Sequence, residues 1–358
     1  MIYRRLLAIA FCASLAFAEY PDGCTLYACV DFPGETWPGY PVPATSVPIG
    51  NPTGLAVDST GNVYIAGPSI VFKLDPSGML TRVAGNGHYG FSGDGGPATD
   101  ALLGFPRGTR HDFIDFSDIV GSLAADSSGN LYIADFFNNR VRKITGDGVI
   151  STVAGAGFEN PFGWPGGVAV DAQTSQVYAA GTFDTLWQLG PGGPTALMGN
   201  NCGHPDVLGL CGPQGVAVDG NGNVYVADNL NDRVLKRSPD GNITIFATAL
   251  SGPYGISIDG LGNLYVADTY NNRIVKILPD GTVTMIAGRG PSYGRYYKGG
   301  YSGDGGWAID AELYLPHAVA VDAAGNVYIA DSENFRVRKV TPDGIITTVA
   351  GNGTWGTF

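Results

Sequence analysis

The 358 residues carry 20 Lys and Arg against 32 Asp and Glu, a formal net charge of −12, with 15% charged residues overall. That acidity repels phosphate backbones and argues against nucleic acid as a partner. The 55 Gly and 23 Pro would suit a disordered chain, but the glycines recur at turn positions between apolar runs, as in an all-β fold.

The chain opens MIYRRLLAIAFCASLAFAEY: basic Arg4 and Arg5, an apolar core from Leu6 to Leu15, then Ala16-Phe17-Ala18. That order predicts a signal peptide cleaved after Ala18, and hence a secreted or periplasmic protein. The mature chain would keep 18 Lys and Arg against 32 Asp and Glu, a net charge of −14. No stretch has the ~18 unbroken apolar residues of a membrane span. Four cysteines remain after cleavage, and their close spacing favours two local bridges, Cys24–Cys29 and Cys202–Cys211. Zinc is the weaker rival, since neither pair has C-x2-C spacing. Residues 19–47, rich in Pro, Tyr and Gly, read as an N-terminal arm holding the first bridge.

From residue 48 to 358 the chain repeats itself. The clearest unit is GNLYVADTYNNRIVKILPDG, Gly262 to Gly281, with strong copies beginning at Gly129, Gly222 and Gly325. Weaker copies begin at Gly61 and Ser175, where Gly67 and Gly181 replace the Asp. Each unit starts with a strand such as PQGVAVD (213–219), turns through Asp-x-x-Gly-Asn in five cases, and continues into two alternating strands. A short fourth strand such as TTVAG (347–351) closes it. Six units of four antiparallel strands cannot cover their faces singly but can in a ring, which predicts a six-bladed β-propeller.

These motifs resemble the NHL-repeat propellers, and the inserts FSGDGGPATDALL (Phe91–Leu103) and YSGDGGWAIDAEL (Tyr301–Leu313) are similar to those of exported bacterial NHL proteins. All six units are complete in strand order, so no exchanged terminal strand closes the ring, and the arm is the candidate for that task.

The recurring pairs Asp135/Arg140, Asp228/Arg233, Asp268/Arg273 and Asp331/Arg336 read as braces of each blade's loop, because a binding site would need such a pair only once or twice. Asp219-Gly-Asn-Gly-Asn223 begins like a calcium loop, but Leu230 stands where the bidentate Glu belongs, and the segment reads as a turn. The SGDGG inserts read as tight bends before a one-turn helix. Thr53, Gly121, Gly166, Gln214, Tyr254 and His317 occupy the equivalent position opening each first strand, at the channel mouth.

Amidating lyases of similar fold hold zinc by histidines at such positions. Here His317 alone matches, so a metal would need His88 or His204 to complete its site. Gluconolactonase-like propellers ring a central calcium with carboxylates, and these six positions contain none. Tyr293, Arg295, Tyr296, Tyr297 and Tyr301 form the densest aromatic and cationic cluster, in a Gly-rich loop of the same face. Such residues give large, rigid contact area at low entropic cost.

The expectation is therefore an exported, non-enzymatic binding or scaffold propeller. It would recognise an extracytoplasmic protein, peptide or glycan through its loop-rich face, with no cofactor. The alternative is a lyase or lactonase-like hydrolase with zinc or calcium at the channel mouth.

Overall fold

The computed structural model describes residues 39–104, 121–155, 163–181, 183–199, 202, 208–290 and 299–355, with two short strands, Arg110–His111 and Ile114–Asp115. The leader, Cys24, Cys29, His204, Tyr293, Arg295, Tyr296 and Tyr297 lie outside the described residues.

Six antiparallel sheets follow one another along the chain, each with its four strands in sequence order, here called a to d from the axis outwards. The a strands are Gly54–Val57, Leu123–Ala125, Pro165–Val170, Pro213–Val218, Pro253–Ile258 and Pro316–Val321. The d strands end at Ala84, Ala154, Met198, Ala247, Ala287 and Ala350. This is the six-bladed propeller of four-stranded blades that the repeats predict.

The hydrophobic interior is not one core but six, each a wedge between neighbouring blades. Between blades 4 and 5, for example, Tyr225, Ala227 and Val234 meet Leu264, Val266 and Val275. The alternating strand pattern makes this possible, because both faces of every sheet are apolar. In all six blades the c–d pairing slips by one residue near the start of strand c. Such a bulge bends and twists the outer strand.

At the axis the a strands approach so closely that four of the six equivalent positions are glycine, with Ser122 and Ala318 at the other two. A Cβ on Gly54 or Gly167 would lie 1.9 Å from the carbonyl oxygen of Gly121 or Gln214, and one on Gly215 2.3 Å from that of Tyr254. Glycine is used here because nothing larger fits.

The ring is closed by the segment before blade 1. Val42–Pro43 pairs with the d strand Met79–Ala84 as a fifth strand of that blade. The amides of Gly351 and Asn352, leaving blade 6, donate to the carbonyls of Ala44 and Val47 at 2.9 and 3.1 Å. Ile49 is fully buried in the wedge between blades 6 and 1.

Replacing Gly215 by Ala should cost about 1–3 kcal/mol, the usual penalty for overpacking. Gly260→Ala, where nothing lies within 4 Å of the added methyl, should change little. Urea unfolding midpoints of the two variants check this.

Candidate functional site

Antiparallel order puts the b–c loops and the d-to-a connections on one face, and the Asp-x-x-Gly-Asn hairpins on the other. The hairpin face is built by one repeated device. In blade 5, Asp259 accepts the amides of Leu261 and Asn263 through Oδ1, and the Asn263 side chain and Tyr265 hydroxyl through Oδ2. Asp219 does the same with Asn221, Asn223 and Tyr225, so the calcium-like segment is a turn, as expected.

On the loop-rich face the Asp ending strand b is the organising residue. Asp135, Asp228, Asp268 and Asp331 are fully buried. Each accepts a backbone amide from the incoming connection (Gly104, Cys211, Ser251 and Tyr314) and the side-chain amide of the Asn three residues on. In blades 4 and 5 the expected pairs form, Arg233 to Asp228 at 2.7 Å and Arg273 to Asp268 at 2.6 Å.

Blades 2 and 6 depart from the expectation. Arg140 and Arg336 do not pair with the Asp. They donate to the carbonyls of Asn138 and Asn334 and lie over the rings of Phe91 and Tyr301, 3.7 and 3.9 Å from the centroids. The Asp is met instead by the arginine two residues later: Arg142 at 3.6 Å from Asp135, and Arg338 at 3.2 Å from Asp331. Each of these buried arginines also binds the Asp of the preceding SGDGG insert, Asp94 or Asp304, at 2.7 Å. The physical reason is that each insert brings a second carboxylate over the blade, and the arginine of strand c opposite the bulge reaches both. The remaining blades have Phe72, Trp187, Leu235 and Val275 at that place in the register. The sequence signal was present: Arg at this position occurs only after an SGDGG insert.

The residue after the Asp links neighbouring blades. Asn229, Thr269 and Ser332 donate to the carbonyls of Pro253, Pro316 and Pro52 at 3.1, 2.7 and 2.6 Å. In blade 2 Phe136 stacks on Trp164 instead, with centroids 5.8 Å apart.

The channel-mouth residues come together as neighbours. The Thr53 hydroxyl accepts the Gly121 amide at 3.3 Å, Gln214 Oε1 occupies the space beside Gly166, and the His317 ring meets Tyr254 edge-on at 5.1 Å. Thr53, Tyr254 and His317 are 4%, 2% and 0% exposed, so they build the wall of the mouth rather than present a surface. Below them the channel narrows to about 30 Å³ between Gly54, Ser122, Gly166, Gly215, Gly255 and Ala318. That is room for one or two waters.

Tyr301 covers the blade 6 insert, its hydroxyl donating to Asp304 at 2.8 Å. His88 stands exposed just before the first insert, whereas His317 is buried in blade 6. Among the described residues, one group of His, Cys, Asp or Glu donors is close enough to share an ion: Asp184, Cys202 and Cys211. Its two sulfurs are bonded to each other in the expected Cys202–Cys211 disulfide. No described helix is long and apolar enough to cross a membrane.

Comparison with known proteins agrees with this architecture. The teneurin NHL domain profile matches residues 240–340 and 296–356, and the NHL repeat profile matches 210–236. Human teneurin-4 is 27% identical over 281 residues, and chicken (Gallus gallus) teneurin-1 is 24% identical over 333. These alignments take in 69% and 82% of this chain but only 8% and 10% of those much longer proteins.

Among solved structures, virginiamycin B lyase from Staphylococcus aureus superposes with a TM-score of 0.54 at 17% identity, over 86% of this chain and 87% of that one. An auxiliary nutrient binding protein from Bacteroides thetaiotaomicron gives 0.59 at 15% identity, over 88% and 75%. At such identities the likeness is one of fold. The chain is a six-bladed β-propeller in which residues 210–236 and 240–356 match NHL-type profiles.

Two predictions follow from the buried charges. Arg338→Ala leaves two carboxylates facing each other, one fully buried, and should cost about 3–5 kcal/mol. Arg336→Ala removes only a ring contact and carbonyl bonds, and should cost under about 1 kcal/mol. Thermal unfolding of the pair tests the reassignment of the brace.

The acid response has two limbs. Burial pushes Asp135 and Asp331 up to about 6 despite the bonds they accept. Their folded form therefore gains protons first, and their contribution to stability rises as pH falls from above 6 towards the ordinary 3.8. Burial also acts to raise Asp58, Asp126, Asp259, Asp94 and Asp304, but the hydrogen bonds each accepts outweigh it and hold them below 3.8. Stability from these is present above 3.8 and lost as pH falls through their lowered values. The thermal midpoint should thus peak between pH 4 and 6 and drop steeply below about 3.8, which a calorimetric pH series reads directly.

Proposed function

We propose that this protein is an exported, non-enzymatic binding or scaffold module that recognises a protein, peptide or glycan through its loop-rich face. The observation that carries the reading is the closed axis. At the mouth Thr53, Tyr254 and His317 are buried, and the space behind them has room for one or two waters. His317, the one anchor for a metal, is packed against Tyr254 at full burial. The disulfide Cys202–Cys211 supports an oxidising, extracytoplasmic location, with the leader ending at Ala18 as the route.

In this reading the contacts are made by the exposed connections, with Tyr293, Arg295, Tyr296 and Tyr297 as aromatic and cationic anchors and Tyr301 at their edge. The mouth residues Thr53, Gln214, Tyr254 and His317 hold the platform in shape. Peptide and glycan arrays probed with the mature protein should give ligands whose binding is lost in the Tyr296→Ala/Tyr297→Ala variant, with the thermal midpoint unchanged. One zinc or calcium per chain by mass spectrometry, released by His317→Ala, would instead favour a metal-dependent lyase or lactonase.

A further inference from the structure

Three large apolar side chains are exposed on the connections where blade 3 meets blade 4: Phe183 at 53%, Leu208 at 40% and Leu230 at 39%. Backbone bonds tie the segments that carry them. Leu230 packs on Gly212, 2.9 Å from where a Cβ would lie, and its amide donates to the Cys211 carbonyl at 3.1 Å. The Gly212 amide donates to Asp184 Oδ1 at 2.7 Å, and Asp184 follows Phe183 directly. Leu208 sits within the loop closed by Cys202–Cys211.

Phe183 and Leu230 each stand two residues past the end of strand b, as do Phe137, Tyr270 and Glu333 in other blades, where the side chain is engaged. Tyr270 approaches Tyr254 with hydroxyls 3.4 Å apart, Glu333 accepts from Asn51 at 3.0 Å, and Phe137 packs edge-on against Phe136 and Tyr89. In blades 3 and 4 alone, among the described loops, this position turns a large apolar side chain to solvent. Exposed apolar side chains that adjoin one another mark interaction surfaces more often than scattered ones.

The rim is acidic. Asp184 lies half-buried at the centre, and Asp232 lies two residues beyond Leu230. The whole chain carries −12, so a second copy would bring like charge to the contact. Phe183 is the single flat ring of the patch, and Leu208 and Leu230 add aliphatic surface that suits an apolar side chain better than a sugar.

We propose that this patch docks a polypeptide segment that presents Leu, Ile or Phe beside a Lys or Arg, the apolar side chain seated among Phe183, Leu208 and Leu230 and the cation facing Asp184. The disulfide ties together the ends of the connection that carries Leu208, which lowers the entropic cost of association. The proposal rests on the binding reading above and assigns it a partner class and a place.

The test is to pan a phage-displayed library of random dodecapeptides against the mature, oxidised protein. Enriched peptides should pair an apolar residue with Lys or Arg, and their synthetic forms should bind in a fluorescence polarisation assay. Phe183→Ser/Leu230→Ser should weaken binding at least tenfold. Asp184→Asn, which keeps the acceptor for Gly212, should weaken it several-fold and flatten its salt dependence. Ile245→Ser, at an exposed apolar site on an outer strand, should leave it unchanged. Thermal midpoints of all variants identify any that fail to fold. Peptides lost on Tyr296→Ala/Tyr297→Ala but not on Phe183→Ser/Leu230→Ser would overturn this site while leaving the binding face intact. No enrichment, together with blank arrays, would overturn both.

Discussion

Six twisted sheets that converge on one axis have almost no room there, and the rest of the molecule answers to that crowding. Close to the axis the a strands carry Gly54, Gly167, Gly215 and Gly255, each too near a neighbouring backbone to bear a side chain. Further out, the wedges between blades widen and fill with Val, Ile, Leu and Tyr. No blade covers its own faces, so stability belongs to the ring as a whole. Its closure by Val42–Pro43 and the carbonyls of Ala44 and Val47 matters for the same reason.

The same crowding leaves little space at the centre. The a strands enclose about 30 Å³ there, whereas the connections between blades vary in length and chemistry. Variation is tolerated there because in four of the six blades the loop is pinned at one point, the buried Asp at the end of strand b. A carboxylate that accepts an incoming amide, the Asn side chain and an arginine fixes where the next connection starts, whatever follows it.

Blades 2 and 6 show how far that anchor can be adapted. Where an SGDGG insert adds Asp94 or Asp304, the partner arginine shifts from the start of strand c to the bulge, and it becomes fully buried between two carboxylates. The displaced Arg140 and Arg336 then support aromatic rings at the surface. Blades 3 and 4 diverge the other way: a degraded repeat and a disulfide loop leave Phe183, Leu208 and Leu230 facing solvent.

Strand number, blade order and hairpin turns were legible from the chain alone, because alternation and turn chemistry are local and repeat six times. So was the nearness of Thr53, Gln214, Tyr254 and His317, since equivalent positions in a ring must be neighbours. Which arginine meets Asp135 or Asp331 was not, for it depends on an insert more than 30 residues away folding over the bulge. Nor could burial at the mouth be read from residue type: a His opening a strand looks the same whether it lines a site or packs against a tyrosine. Local pattern sets the blades, and the distance between them, decided only when the ring closes, sets which side chains remain for function.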